Sequence, residues 1–260
     1  MKANKWFLLF LAVCLVFSLA ACGGGGGSGE SAIPVSDNYL CFKANENNCS
    51  ISATINFSLT TTPSLEYSTD KENWAPFIID STTVDLTNAG DKVYIRATSA
   101  NASFSDDDGW ITFETSKSVS ASGNIMSLLD KNCGGNSVPD NAFRYLFYNA
   151  TLTTAPELPA TTLGSWCYES MFEGCSFLTT APELPAIALA NNCYRCMFNG
   201  CSRLSSITVY FTTWDDSYTF GWVDGVAASG QLHCPEDLPD EVDYINCSKK
   251  PGSWTKVPLP

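Results

Sequence analysis

The nonapeptide LTTAPELPA occupies residues 152–160 and returns, letter for letter, at residues 178–186. The period of 26 residues extends to the segments that follow, because Cys167–Phe177 matches Cys193–Arg203. A degenerate earlier copy, AFRYLFYNAT, starts at Ala142 and is one residue shorter. Repetition at a fixed period is typical of a solenoid, in which each unit buries its apolar face against the next. The repeat therefore predicts stacked units.

Apolar residues within each unit have the spacing of a short amphipathic helix. In one unit Tyr168 is followed at i+3, i+4 and i+7 by further apolar residues, namely Met171, Phe172 and Cys175. This spacing predicts a helix, with Gly174 as its left-handed terminator and Glu169 on its solvent-exposed face. Because prolines keep the nonapeptide extended, one unit is predicted to contain a strand, a proline-bounded bend and a helix.

The segment 38–123 has the composition of β-structure. Short runs rich in β-branched and aromatic residues are separated mostly by turn-forming clusters, and these runs are YLCFKA, CSISATI, LEYSTD, TTVDLT, KVYIRATS and GWITFETS. Such spacing predicts a small antiparallel β-sandwich.

The first 21 residues have the features of a secretory signal peptide. Lys2 and Lys5 precede an apolar run, and small residues precede Cys22,. The residues 19–22, LAAC, resemble the lipobox of bacterial lipoproteins, which implies that Cys22 carries a lipid. Residues 22–37 then form a lipidated, glycine-rich tether. Gly23 follows the cysteine where inner-membrane lipoproteins have Asp, and this resemblance to Gram-negative sorting rules implies the outer membrane. The protein is then expected to face either the cell surface or the periplasm.

The charge of the chain excludes one class of partner. Without residues 1–21 the protein has 12 basic and 27 acidic residues, a net charge of −15. Such a surface repels phosphate backbones, so we expect no nucleic-acid partner. Membrane attachment is expected through the lipid alone, and the protein is expected to be a monomer.

The repeat pattern resembles a known family. CY, MF and GC at residues 167–175, followed by LTTAPELPA, resemble the BspA-like leucine-rich repeats of bacterial surface lipoproteins, in the variant of about 26 residues,. The resemblance covers residues 137–207, and the segments before and after it look like the usual flanks of such repeats. It implies surface display, adhesion or ligand binding, and no enzymatic activity.

These observations predict an α+β fold that is mainly β. An antiparallel β-sandwich (38–123) is followed by a leucine-rich-repeat-like solenoid of 26-residue units (124–207) and by a C-terminal cap (208–260). We expect the cap to cover the last open edge, since an uncapped array exposes its core.

Disulfides are permitted in an exported protein. Cys41 and Cys49, in adjoining predicted strands, are the first candidates for a bridge, and Cys234 with Cys247 the second. Four further cysteines take equivalent positions in two repeat units, namely Cys167, Cys175, Cys193 and Cys201. The earlier copy has alanine at both positions, which favours small buried core sites; a disulfide ladder stays open as an alternative.

Signals for catalysis or metal binding are weak. His233 is the single histidine, and no phosphate-binding glycine loop follows a strand,. The CxxC pair formed by Cys193 and Cys196 lacks the second pair of a zinc site. The run Asp106–Asp108 lacks the spacing of a calcium loop and is better explained as an acidic hairpin turn. We therefore expect no enzyme, no metal and no cofactor.

Two function classes remain. The first is a surface protein that binds a host or neighbouring-cell protein through the variable positions of the repeats, where four side chains are of types frequent in binding hot spots: Trp166, Phe177, Arg195 and Arg203,. Alternatively, Trp166 and Phe177 pack against the flanking parts of the chain. The second class is a glycan-binding accessory lipoprotein that uses exposed aromatics such as Trp74, Trp110 or Trp166.

Overall fold

The computed structural model describes residues 38–213, 215–239 and 253–259. This part of the chain is mainly β. Its N-terminal strands are β1 (Leu40–Ala44), β2 (Cys49–Phe57), β3 (Leu65–Ser68), β4 (Ala75–Phe77), β5 (Thr83–Leu86), β6 (Lys92–Ala97), β7 (Gly109–Thr115) and β8 (Val119–Ser122). The later strands are β9 (Ser137–Val138), β10 (Leu152–Thr154), β11 (Thr162–Leu163), β12 (Ser206–Thr208), β13 (Gln231–Cys234) and β14 (Thr255–Pro258).

Helix is scarce in the described residues. A 3-10 helix spans Ile125–Leu128, and the α-helix α1 spans Asp216–Thr219. Within these ranges of the chain, no helix is long and apolar enough to span a bilayer.

The N-terminal strands form two antiparallel groups. One sheet has the order β5-β2-β7, and the other has the order β8-β1-β6-β3-β4, with β10 added parallel to β8. Each of the six runs predicted from sequence contains a strand, because alternate side chains are apolar and buried, as Val93 and Ile95 are in β6,. The two sheets contact each other through their buried faces, where the rings of Phe42 and Phe113 lie 5.5 Å apart.

The predicted repeat helices are absent, and overlapping β-turns replace them. We name three turn segments: segment 1 (141–150), segment 2 (166–175) and segment 3 (192–201). In segment 2 the N–H of Glu169 donates to Trp166 O and that of Met171 donates to Tyr168 O. Each of these hydrogen bonds runs to the carbonyl three residues earlier, as in a β-turn. Every fourth residue has a positive φ, at Trp166, Ser170 and Gly174. Such left-handed positions belong to type II turns and not to an α-helix.

The remaining backbone donors join neighbouring segments. In segment 1 every second N–H donates to a carbonyl 24 residues later, as Phe147 N does to Met171 O at 2.9 Å. Segment 2 donates to segment 3 in the same way, as Phe172 N does to Met197 O at 3.0 Å. Successive backbone N–H groups thus alternate between closing a β-turn within their own segment and donating to the next segment. The backbone polar groups are therefore hydrogen-bonded without an α-helix.

The apolar face predicted for each helix is nevertheless buried. Tyr168, Met171, Phe172 and Cys175 are at most 1% exposed. Overlapping β-turns that repeat every four residues, here called a turn ribbon, place residues i, i+3, i+4 and i+7 on one face, as an α-helix does. Over only eight residues, the apolar spacing therefore cannot distinguish a turn ribbon from a helix. The prediction of the buried positions is confirmed, and the prediction of the helix is wrong.

Aromatic ladders run through the stacked segments. The rings of Phe147, Phe172 and Phe198 stack with centroids 5.5 and 5.7 Å apart. Phe113 of β7 stacks on Phe147 at 6.0 Å, and Trp222 contacts Phe198 at 6.4 Å from the C-terminal side. One buried cluster therefore extends from the N-terminal sheets to the C-terminal part.

The C-terminal part continues the parallel pairing. Thr180 is bridged to Ser206, and β12, β13 and β14 then form a parallel sheet in that order. Phe211 covers the end of a second aromatic ladder, where its ring lies 6.1 Å from that of Tyr194. These residues bury side chains of segment 3 that would otherwise face solvent,.

The predicted bridge between Cys41 and Cys49 is not formed. Both thiols are free and buried, but Cys41 lies in β1 and Cys49 in β2 of the other sheet. Cys49 belongs to the buried cluster. Cys41 does not, whereas its neighbours in β1, Leu40 and Phe42, do. The sequence separation was compatible with a bridge, but strand alternation places the side chain of Cys41 on the face of β1 opposite to the cluster that contains Cys49,. Cys247 is outside the described residues, so its predicted pairing with Cys234 is outside them too.

The repeat cysteines are small core residues. Cys167, Cys175, Cys193 and Cys201 are fully buried and free. The thiol of Cys175 donates to Phe147 O at 3.1 Å, and that of Cys201 donates to Phe172 O at 3.0 Å. Burial raises the pKa of Cys193 and of Cys201 to about 12, which keeps them as thiols. The core-site hypothesis is confirmed, and no disulfide ladder is present among these four.

Candidate functional site

The four binding candidates form two pairs. Arg195 places its guanidinium carbon 6.0 Å from the ring centroid of Trp166, and Arg203 places its own 4.6 Å from that of Phe177. Trp166 begins segment 2, whereas Phe177 follows the end of that segment. The structure therefore brings the candidates together as cation–π pairs at opposite ends of a segment.

A column of charged residues lies beside the first pair. Arg144, Glu169 and Arg195 occupy equivalent positions in segments 1, 2 and 3. Arg144 Nε forms an ion pair with Glu169 Oε2, and Arg195 Nε lies 3.4 Å from Glu169 Oε1. One carboxylate thus lies between two arginines and forms an ion pair with each of them,.

Glu169 is buried, contrary to the prediction that it lies on an exposed face. It is 4% exposed, because a turn ribbon stacked on both sides leaves its side chain between two neighbouring segments,. Burial raises the pKa of Glu169 above its ordinary value, while the guanidinium groups of Arg144 and Arg195 oppose this shift,.

Aromatic rings extend the column in both directions. Arg144 lies 5.2 Å from the ring of Tyr145 and 5.9 Å from that of Trp166, and Tyr145 stacks on Trp110 at 4.5 Å. On the other side Arg195 lies 4.9 Å from the ring of Phe220. We call these side chains the aromatic–arginine row, which consists of Trp110, Tyr145, Arg144, Trp166, Arg195 and Phe220. All of them are half-buried.

Exposed rings continue from one end of the row. Phe57 lies 5.1 Å from Trp110 and is 81% exposed, and Tyr148 lies 5.6 Å from Tyr145. Clustered exposed aromatic side chains are uncommon on a protein that meets only water. The row and these two rings form a surface that combines apolar area with fixed cations.

Only part of this surface is predictable from the sequence. Trp166 and Arg195 were identified by their variation between units, but Arg144, Tyr145 and Phe220 were not. A signal existed for Arg144 and Glu169, since opposite charges at equivalent positions of stacked units predict an ion pair. The contacts of Trp110 and Phe57 needed the tertiary structure, because these residues come from strands of the N-terminal part.

The acidic turn is held by its own hydrogen bonds. The carboxylate of Asp106 accepts hydrogen bonds from the backbone N–H groups of Thr60 (2.8 Å), Asp108 (3.0 Å) and Gly109 (2.9 Å). These bonds lower the pKa of Asp106 to about 2, with the Thr60 bonds acting most strongly,. Across the described residues, no group of three or more His, Cys, Asp or Glu is placed to hold a metal ion.

The lipidation candidate Cys22 lies outside the described residues. Comparison of the chain with protein-family models, with curated proteins and with solved structures gives no match.

Proposed function

We propose that this protein is an exported, lipid-anchored surface interaction module that binds a partner protein through the aromatic–arginine row. The observation that carries the proposal is that the four row residues within the turn segments, Arg144, Tyr145, Trp166 and Arg195, lie at positions where equivalent residues differ, while the stacked core positions recur. Trp, Tyr and Arg dominate protein-binding hot spots. The contacts among these side chains hold them in place before a partner arrives, which lowers the entropic cost of association.

Backbone strain in the row supports the same proposal. Tyr145 and Trp166 have φ values of 57° and 60°. The equivalents of Trp166 in the neighbouring segments are Asn141 and Asn192, a residue type that accepts positive φ more readily,. A bulky residue there costs about 1–2 kcal/mol. Folding alone would favour asparagine, so a tryptophan at this position suggests a role in binding.

The proposed architecture is a β-sandwich followed by a short leucine-rich-repeat-like solenoid and a cap. The regular backbone bonds between turn segments and the stacked aromatic ladders support the solenoid,. The contact of Phe42 with Phe113 across the two sheets supports the sandwich,. Lipidation at Cys22 and the tether 22–37 would place this module at the outer membrane, as the resemblance to lipoproteins implies.

A protein partner is favoured over a glycan because the tryptophan rings already have neighbours. The guanidinium carbon of Arg96 lies 3.6 Å from the ring centroid of Trp74, and Tyr145 stacks on Trp110. Trp166 lies within 6.0 Å of the guanidinium carbons of Arg144 and Arg195. Saccharide stacking needs an open aromatic face, whereas a protein partner can use ring edges and guanidinium groups together.

The full-length protein can be tested on arrays of secreted proteins and of glycans. Trp166→Asn should abolish the protein signal without lowering the melting temperature, since asparagine suits the left-handed backbone. Phe177→Ala, which removes the other candidate aromatic, is the matched control and should bind as the wild type does. A saccharide-specific signal, or normal binding by Trp166→Asn, would overturn the proposal.

A further inference from the structure

A groove of about 560 Å³ lies between the two copies of the nonapeptide. Equivalent prolines form much of its lining, with Pro156 and Pro159 from the first copy and Pro182 and Pro185 from the second. Glu157 and Glu183, which are also equivalent, are exposed in the lining. The groove is separate from the aromatic–arginine row, because none of the residues of the row lines it.

The groove exists because each copy of the nonapeptide is hydrogen-bonded to another part of the chain and not to the other copy. Glu157 N donates to Gly123 O at 2.8 Å, whereas Leu184 N donates to Thr208 O at 3.1 Å. Across residues 152–160 and 178–186, all of which are described, no backbone hydrogen bond joins one copy to the other. Prolines lack an N–H and cannot close this gap. The turn segments remain bonded, so the separation is confined to the nonapeptides.

The chemistry of the groove is one-sided. Prolines contribute carbonyl acceptors and apolar rings but no donors, and the two glutamates add anionic acceptors. Glu157 Oε2 accepts a hydrogen bond from Asn38 Nδ2 at 2.9 Å, while Glu183 has no ion pair or side-chain hydrogen bond within the described residues. Lys and Arg are absent from the lining. Charge complementarity therefore favours a ligand that carries positive charge.

We propose that this groove binds an extended, basic peptide segment of a partner protein. Lysine or arginine side chains of the segment pair with Glu157 and Glu183, its backbone N–H groups donate to the groove carbonyls, and its aliphatic stems lie on the prolines. The prolines hold the walls in a fixed conformation, so little entropy is lost on binding. This site adds a second recognition surface to the module and does not depend on the row.

The probe for this site is a blocked, fluorescein-labelled peptide of sequence GRGRGG, titrated into the full-length protein in detergent. The double variant E157Q/E183Q should bind it about tenfold more weakly, a loss of about 1.4 kcal/mol, because two exposed ion pairs are removed. The matched control E72Q/E114Q removes the same charge at exposed positions outside the groove and should bind as the wild type does. Melting temperatures of both variants should equal that of the wild type, because all four side chains are exposed,.

Further arms separate the alternatives. Trp166→Asn should leave peptide affinity unchanged, so failure of the groove and failure of the row are distinguishable. The proposal is overturned if E72Q/E114Q loses as much affinity as E157Q/E183Q, or if a peptide with glutamine in place of arginine binds equally well. Binding of spermine as tight as that of the peptide, or no peptide binding up to about 1 mM, would also overturn it.

Discussion

Individual side chains at equivalent repeat positions differ in how well their polar atoms are satisfied. Phe143, Tyr168 and Tyr194 stack in one ladder with centroid separations of 6.0 and 6.1 Å. The hydroxyl of Tyr168 is buried and has no hydrogen-bond partner in the described part of the chain. A buried hydroxyl without a partner is a cost that the phenylalanine one segment earlier avoids.

Tyr168→Phe is therefore expected to keep the fold and to raise the free energy of unfolding by about 1 kcal/mol. Urea unfolding followed by circular dichroism measures this change. Phe172→Ala, at a fully buried ladder position, serves as the destabilising control and should lose about 3–5 kcal/mol. A loss of stability in Tyr168→Phe would show that the hydroxyl has a partner.

Glu169→Ala should lower the free energy of unfolding by about 1–3 kcal/mol, because it leaves two arginines without their shared carboxylate. The control is Glu173→Ala, the next outward glutamate of the same segment, which is only half-buried and should change stability by less than about 0.5 kcal/mol. Equal melting temperatures for the two variants would contradict the central role of Glu169 in the charge column.

At the scale of elements, the turn segment replaces the expected helix. Its left-handed residues recur every fourth position and stack in columns, one of which contains Asn149, Gly174 and Gly200. A Cβ on Gly174 would lie 2.0 Å from Asn149 Oδ1, whereas a Cβ on Gly200 would meet its nearest atoms at 3.6 Å. A side chain at Gly174 would therefore have to displace the side chain of Asn149, whereas at Gly200 the backbone conformation alone favours glycine.

Gly200→Ala should cost about 1–2 kcal/mol, since its φ of 76° is unfavourable for alanine but makes no clash,. Gly200→Asn should cost less, because Asn149 holds the same conformation in segment 1 with a φ of 57°,. Thermal unfolding of the two variants checks the order. If alanine proved as stable as asparagine, the left-handed turn would not be what selects the residue.

The acidic turn before β7 should make stability pH-dependent. The folded pKa of Asp106 is about 2, below the ordinary 3.8, so its hydrogen bonds stabilise the fold above about pH 4 and are lost as the pH falls toward 2. Asp106→Asn should flatten the fall of melting temperature over this range. Asp107→Asn, an exposed neighbour, should keep the wild-type slope, and identical slopes for all three proteins would contradict the prediction.

At the scale of the whole molecule, one continuous core joins the N-terminal sheets, the turn segments and the C-terminal sheet. Strand β10 extends the N-terminal sheet by pairing with β8, and the described residues belong to one compact unit. Truncation between the predicted parts would therefore expose buried side chains.

The proposed anchor predicts the location of the protein. Cys22→Ala should move it from the membrane fraction to the soluble exported fraction, because multiple acyl chains hold a protein stably at a bilayer and their loss releases it. Fractionation followed by immunoblotting measures the shift. Cys14→Ala, in the apolar run of the predicted signal peptide, is the matched control and should leave the protein in the membrane fraction. Unchanged membrane association of Cys22→Ala would refute the lipobox interpretation.

The sequence by itself determined which apolar positions of the predicted strands and repeat units are buried, and it located six β-segments within residues 38–123. Alternating apolar residues place Val93 and Ile95 on one face of a strand whatever they contact, so the six predicted strands are local properties of the chain. The period of 26 residues likewise fixed which positions are equivalent, and alanine at residues 142 and 150 showed that the equivalent cysteines fill small core sites.

Only the tertiary structure decided how those positions are used. Over eight residues a turn ribbon and a helix bury the same positions, and what separates them is whether backbone donors bond within the segment or to the next one, as Phe147 does to Met171. Stacking then buried Glu169 between two arginines and brought Trp110 beside Tyr145. It also turned the two nonapeptides away from each other. These outcomes depend on pairing between distant segments, which local propensity does not specify.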